Sequence, residues 1–150
     1  MKKVLIFSLF VAILSSSVAC KKDVDEDKLI TDYLTSKGLT AEKTTEGLYY
    51  IIETQGTGST NTPTPSNTVT MRYKGYLLDG TVFDQNQTTA GFTSPLYGLI
   101  KGWQIGVPKF KKGGKGKLFI PSSLAYGSSG SGTIPGNTPI AFDIELVDFK

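Results

Sequence analysis

Ring and branched apolar side chains set beside turns are where this chain could do chemistry. Tyr73 lies on the apolar face of an alternating segment, and Phe83 and Asp84 follow a turn pair. Phe92, Leu99, Ile100 and Trp103 come close together, Tyr126 follows Pro121-Ser122-Ser123-Leu124-Ala125, Ile134 stands alone in a polar stretch, and Phe142 sits in the last apolar run. The 150 residues include no histidine and a single cysteine, Cys20. That removes the Ser-His-Asp and Cys-His nucleophiles, a zinc site built from His and Cys, and an internal disulfide. What remains is chemistry by carboxylates, hydroxyls, the backbone or a shaped apolar slot. Taken singly, each ring fills core volume as readily as it lines a site.

These side chains must be positioned by short elements. With 17 Gly and 7 Pro, the composition points to many turns and strands rather than a helical bundle. Hydrophobic residues at 39% and charged residues at 19% suit one ordinary domain with a real core. Leu29, Ile30, Tyr33 and Leu34 repeat at helical spacing, with acidic residues before them and Gly38 after, which predicts a short helix over about 25–37. It is expected either to rest on the main domain or to act as a spacer. Period-two alternation predicts strands over 48–54, 68–77, 118–120 and 140–147, and Asp79-Gly80 predicts a hairpin turn between Leu77 and Thr81. Leu99, Ile100, Trp103 and Val107 predict a two-turn helix that stops at Pro108. Residues 55–67 and 127–137 read as loops. The expected architecture is α+β: a curved antiparallel sheet wrapped around a short central helix, preceded by a short N-terminal helix.

The first residues read as an address. Lys2 and Lys3 precede an apolar run over Val4–Leu14 and small residues up to Cys20, which together predict a signal peptide over residues 1–19. Ser17-Val18-Ala19-Cys20 resembles a bacterial lipobox, with Ser17 where leucine is usual. The resemblance implies a lipidated Cys20, membrane attachment and a place in the bacterial cell envelope. Lys21 after the cysteine implies the outer membrane by the same likeness. Acyl chains contribute ~0.8 kcal/mol per buried methylene. Residues 20–45 are then a lipid-anchored spacer carrying the short helix, and residues 46–150 the main domain. Loss of residues 1–19 removes two lysines and leaves a net charge near zero, which gives no reason to invoke nucleic acid. Lys109, Lys111, Lys112, Lys115 and Lys117 read as a solvated loop around Gly113, Gly114 and Gly116.

Five blocks, in order, resemble one family: Tyr73-Lys74-Gly75-Tyr76-Leu77-Leu78-Asp79-Gly80-Thr81-Val82-Phe83-Asp84; Leu99-Ile100-Lys101-Gly102-Trp103; Ile120-Pro121-Ser122-Ser123-Leu124-Ala125-Tyr126-Gly127; Ile134-Pro135-Gly136-Asn137; and the last strand with Phe142. They resemble the FKBP-type peptidyl-prolyl cis-trans isomerases over about residues 46–150. The resemblance implies a proline pocket with Trp103 as floor and Tyr73, Phe83, Phe92, Leu99, Ile100, Tyr126 and Phe142 as walls. It also implies Ile134 as a cap, Asp84 at the rim, and the Ile100 N–H and Tyr126 hydroxyl as donors to bound carbonyls. Proline-containing polypeptides are the implied clients, macrolides the implied inhibitors, and no cofactor or metal is called for. Three positions depart from the family pattern. Ser94 stands where a second aromatic is frequent, Tyr97 where Gly is usual, and Ser131 where some members carry a bulkier ring.

An X–Pro amide resists rotation by ~18–20 kcal/mol because twisting breaks its resonance. The twisted amide is less charge-separated than the planar one, so a dry aromatic slot disfavours the planar ground state. Positioned donors can hold the carbonyls in the twisted geometry. Such an isomerase would assist folding of exported proteins. The altered rim leaves room for a low-turnover proline-peptide binding module or chaperone using the same pocket, and a surface adhesin using the Lys109–Lys117 stretch is a third reading. The segment before the domain is too short for a dimerising stalk, so a monomer is expected.

Overall fold

The structure is a computed structural model that describes residues 24–150. The segment expected to be a signal peptide, and Cys20, lie outside the described residues. The first element, α1 (Glu26–Ser36), starts at Asp25, whose side chain accepts the Lys28 N–H at 3.0 Å. An Asp in this place satisfies one of the orphan donors of the first turn. The helix ends at Lys37, one residue before Gly38, which takes φ +64°.

Seven strands follow: β1 (Glu42–Lys43), β2 (Tyr49–Thr54), β3 (Thr68–Leu77), β4 (Val82–Asn86), β5 (Phe92–Pro95), β6 (Lys115–Ile120) and β7 (Ile140–Phe149). They form one antiparallel sheet in the order β1-β2-β6-β7-β3-β4, with β5 paired to the other end of the same edge of β3. The short helix α2 (Lys101–Gly106) lies between β5 and β6 and runs into a 3-10 turn over Val107–Lys109. Thus the antiparallel sheet, the short helix and the N-terminal helix expected from the sequence are all present. Leu99 and Ile100 differ from expectation. They precede α2 rather than belonging to it, with Ile100 in extended conformation at the helix start.

Strand alternation sorts the core into two layers. On one face Leu48, Val69, Met71, Tyr73, Leu118, Ile120, Ile140, Phe142, Ile144 and Leu146 bury against α2 and its neighbours. On the other, Tyr49, Phe119 and Ala141 receive Ile30 and Leu34 of α1. The segment read as a spacer therefore supplies a helix packed on the sheet and an edge strand, β1. Asp27 reinforces the seat by accepting the Tyr49 hydroxyl at 2.8 Å and pairing with Lys43.

The basic stretch is not one solvated loop. Lys115 and Lys117 lie on β6, and Lys117 pairs with Asp143 at 2.7 Å and Glu53 at 3.4 Å. Lys112 pairs with Asp148 at 2.8 Å, and Lys109 stands over the Tyr50 ring. Only the 118–120 part of β6 was legible in sequence, because its first residues are Lys115, Gly116 and Lys117, with no apolar side chain to mark either face.

Candidate active site

Register gathers the site around Tyr73. In an antiparallel sheet, a residue opposite i±2 is a diagonal neighbour on the same face, within reach of a ring. Gly75, two residues along β3, faces Phe142 on β7 and Asp84 on β4, while Met71, two residues back, faces Phe92 on β5. Tyr73 thus has Phe142, Asp84 and Phe92 as diagonal partners. Its hydroxyl donates to Asp84 Oδ2 at 2.7 Å, and its ring meets Phe92 and Phe142 at centroid separations of 6.0 Å each.

The missing side chain of Gly75 makes the arrangement possible. A Cβ there would lie 2.6 Å from both a Phe142 and a Phe83 ring carbon. Those two rings meet edge-on at 5.5 Å and 88°. The register slips between Gly75 and Tyr76, which pair with Asp84 and Val82, so Phe83 is the extra residue of a β-bulge. A bulge re-aims the side chains beside it, and this one brings Phe83 as well as Asp84 to the ring cluster.

Trp103, on α2, closes the floor. It is 4% exposed and stands edge-to-face with Tyr73 (5.2 Å, 82°) and Phe142 (5.2 Å, 86°). Each such pair contributes about 0.5–1.5 kcal/mol beyond area burial, and three rings set at 67–86° to one another leave little freedom to rearrange. Gln104, next on the helix, donates from Nε2 to the carbonyls of Leu99 (2.7 Å) and Tyr97 (3.0 Å). It pins the Leu99-Ile100 segment against the floor, a role for which the sequence carried no signal. The Ile100 carbonyl accepts the Trp103 N–H at 2.9 Å, while the Ile100 N–H is engaged by no described residue.

The result is a cavity of about 190 Å3 lined by Tyr73, Asp84, Phe92, Leu99, Ile100, Trp103, Tyr126 and Phe142. Eight of the ten pocket residues anticipated from the sequence meet on one hollow. The other two do not line it. Phe83 backs Phe142, and Ile134 is buried in the shared apolar cluster, tied by a two-way backbone bridge to Ser131. The bridge folds the loop tip onto itself and holds Ile134 in the same apolar cluster as Tyr73, Trp103 and Phe142. Ser94, Tyr97 and Ser131 are also absent from the lining.

Burial, together with the Asp84 acceptor, pushes the Tyr73 phenol well above its ordinary value. Burial, and then the Asp84 charge, also raises Tyr126, with no hydrogen bond contributing. Tyr76 on the opposite face is raised by burial and Asp143. All three phenols hold their protons more tightly in the folded chain. Above about pH 10 the unfolded chain loses those protons first. Stability from these groups is therefore complete below pH 10 and falls as pH climbs toward the folded values. Urea midpoints should be flat across neutral pH on this account and drop above about pH 10, less so in Tyr73→Phe.

Comparison with known proteins gives the same picture. A family model described as FKBP-type peptidyl-prolyl cis-trans isomerase matches residues 59–147. The FKBP-type peptidyl-prolyl cis-trans isomerase FkpA of Escherichia coli (strain K12) is 44% identical over 115 residues, covering 76% of this chain and 41% of the relative. The chain thus spans about two fifths of the length of such curated relatives. The crystal structure of FkpA from Escherichia coli superimposes with a TM-score of 0.75 at 38% identity, covering 87% of this chain and 62% of that one. A peptidyl-prolyl cis-trans isomerase from Pseudomonas syringae pv. tomato superimposes with a TM-score of 0.71 at 31% identity, covering 82% and 92%. The matched stretch runs from before β3 to within β7 and so contains every residue that lines the cavity; this chain belongs to the FKBP-type peptidyl-prolyl cis-trans isomerase family.

Proposed function

We propose that this protein catalyses cis-trans isomerisation of X–Pro bonds in polypeptides outside the cytoplasm, by gripping the prolyl ring in the aromatic hollow and stabilising the twisted amide. One observation carries the reading: a ring-walled hollow with two unengaged donors at its edge, the Ile100 N–H and the Tyr126 hydroxyl. The rings supply a low-polarity surround in which the charge-separated planar amide is disfavoured. The donors supply fixed dipoles for the two carbonyls that flank the rotating bond. Asp84 is held by the Tyr73 hydroxyl and faces the cavity as its polar edge. At about 190 Å3 the hollow lies below the ~300–1,000 Å3 of pockets that enclose a drug-sized ligand. It suits one ring, so a macrolide inhibitor would seat one portion and lie across the rim with the rest.

The mature chain should accelerate isomerisation of a proline-containing peptide, with little change between about pH 5 and 8 because no histidine titrates there. A macrolide should compete. A rate equal to the spontaneous one, in protein shown to be folded, would end the enzymatic reading. The low-turnover alternative rests on the altered rim at Ser94, Tyr97 and Ser131, and the same assay separates the two: peptide binding with a near-spontaneous rate would favour the binding module.

The lipobox-like Cys20, followed by Lys21, supports a second part of the proposal, a lipid-anchored protein of the bacterial outer membrane, and the short segment before the domain supports a monomer. Mass spectrometry of the N-terminal peptide tests the anchor, since an unmodified Cys20 in protein from membranes would contradict it.

A further inference from the structure

The residue at the start of α1 reaches the turn that carries Tyr126. Glu26 accepts the Ser122 backbone N–H at 2.6 Å through Oε2 and the Ser122 hydroxyl at 2.6 Å through Oε1. Both carboxylate oxygens are thus spent on one residue. Ser122 is 6% exposed and is the one buried polar residue of the described chain. A hydrogen bond to a charged acceptor is shorter and roughly twice as strong as a neutral one, and the buried N–H has no other described acceptor.

Ser122 in turn brackets Tyr126. Its carbonyl accepts the Ala125 N–H at 2.9 Å and the Gly127 N–H at 2.8 Å, one on each side of the tyrosine. Gly127 then holds Asn137 through its own carbonyl at 2.9 Å. A continuous chain of bonds therefore runs from Glu26 to both flanks of the residue whose hydroxyl stands free at the cavity. The helix is anchored independently by Ile30, Leu34 and Asp27, so Glu26 is not needed to seat it. Glu26 also lies outside residues 59–147, the stretch shared with the family model.

We propose that Glu26 is a positioning residue for the Tyr126 hydroxyl, so that the helix preceding the isomerase domain belongs to the machinery of the site. The inference rests on the reading that this hydroxyl meets a substrate carbonyl. Without its carboxylate acceptor the Ser122 turn relaxes, the flanks of Tyr126 lose their fixed reference, and the donor wanders from the position at which it meets the twisted amide. A misplacement of about 1 Å can cost ~100-fold in rate, and a loosened turn should cost less, roughly tenfold.

The test uses the full mature chain and its variants Glu26→Ala, Glu26→Gln, Tyr126→Phe and the double variant Glu26→Ala/Tyr126→Phe. With a short proline peptide, Glu26→Ala should lower kcat/KM roughly tenfold and Glu26→Gln, which keeps one acceptor, should recover much of it. In the Tyr126→Phe background the same alanine change should cost little, because its route runs through the missing hydroxyl. Equal losses in both backgrounds would overturn the proposal. So would a Tyr126→Phe protein as fast as the parent, even though the isomerase reading would then stand. A second measurement needs no catalysis: ring NMR signals of Tyr126 should shift or broaden in Glu26→Ala and return in Glu26→Gln. Unchanged Tyr126 signals overturn the proposal whether or not the parent isomerises peptides, whereas failure of the parent to accelerate the peptide counts against the isomerase reading alone.

Discussion

Replacing Trp103 with alanine is expected to cost ~3–5 kcal/mol of stability, the usual range for removing a large buried ring, and to return peptide isomerisation to the spontaneous rate. The indole is 4% exposed and meets Tyr73 and Phe142 edge-to-face at 5.2 Å each. Its removal therefore deletes the floor and frees both walls. Domains hold only about 5–15 kcal/mol in all, so the variant should remain folded in buffer but with a sharply lower urea midpoint. Trp103→Phe separates shape from stability. Indole Nε1 is buried without a hydrogen-bond partner, and an unmet buried donor costs about 1–3 kcal/mol. Phenylalanine removes that penalty while leaving a smaller void, so the two terms partly offset and the stability loss should stay below about 2 kcal/mol. Far-UV circular dichroism should follow unfolding, because Trp103 is the sole tryptophan and its emission disappears with it. A folded Trp103→Ala protein that kept most of its rate would sink the assignment of the floor.

Much of the fold was readable because the sheet's period is two, whereas which residues form the site came from the resemblance of five blocks to one family. Tyr73, Phe142 and the β3 and β7 alternation follow directly from apolar residues at every second position. The hairpin turn was equally plain: Asp79 accepts the Thr81 N–H at 2.8 Å, and Gly80 takes φ +95°. What stayed hidden depends on partners far along the chain. The strand β5 reads Phe92-Thr93-Ser94-Pro95, with one apolar side chain and a proline, and it is a strand only because β3 offers an edge. The bulge at Phe83 is set by a register slip that no local pattern announces. Ile134 was expected as a cap only through the family resemblance; its burial and its bridge to Ser131 had no local signal. Glu26 and Ser122 are separated by most of the chain, and nothing in their local spacing ties one to the other.

Gly102→Ala should destabilise the protein although alanine is the better helix former. Gly102 and Gly106 sit four residues apart on one face of α2. That face rests on β6, where Ile120 and Leu118 point up from alternate positions. A Cβ on Gly102 would strike Ile120 Cγ2 and lie 2.7 Å from Ile120 Cδ1, and one on Gly106 would lie 2.7 Å from both Leu118 methyls. Ile120 is itself fully buried, so its branches have no space into which to swing. Helix propensity favours alanine by about 0.8–1.0 kcal/mol, less near the end of so short a helix. Overpacking a closed core costs typically 1–3 kcal/mol. The second effect wins, for a net loss of about 1–2 kcal/mol. The helix can relieve the clash only by rising from the sheet, and Trp103, the next residue, rises with it, so activity should fall further than stability. A double-mutant cycle checks the cause. Ile120→Ala alone should cost ~2–5 kcal/mol, but it deletes the atoms that Gly102→Ala strikes, so the pair should cost clearly less than the sum. Strict additivity, or a Gly102→Ala protein more stable than the parent, would mean that the glycine face of α2 is not what sets the depth of the floor.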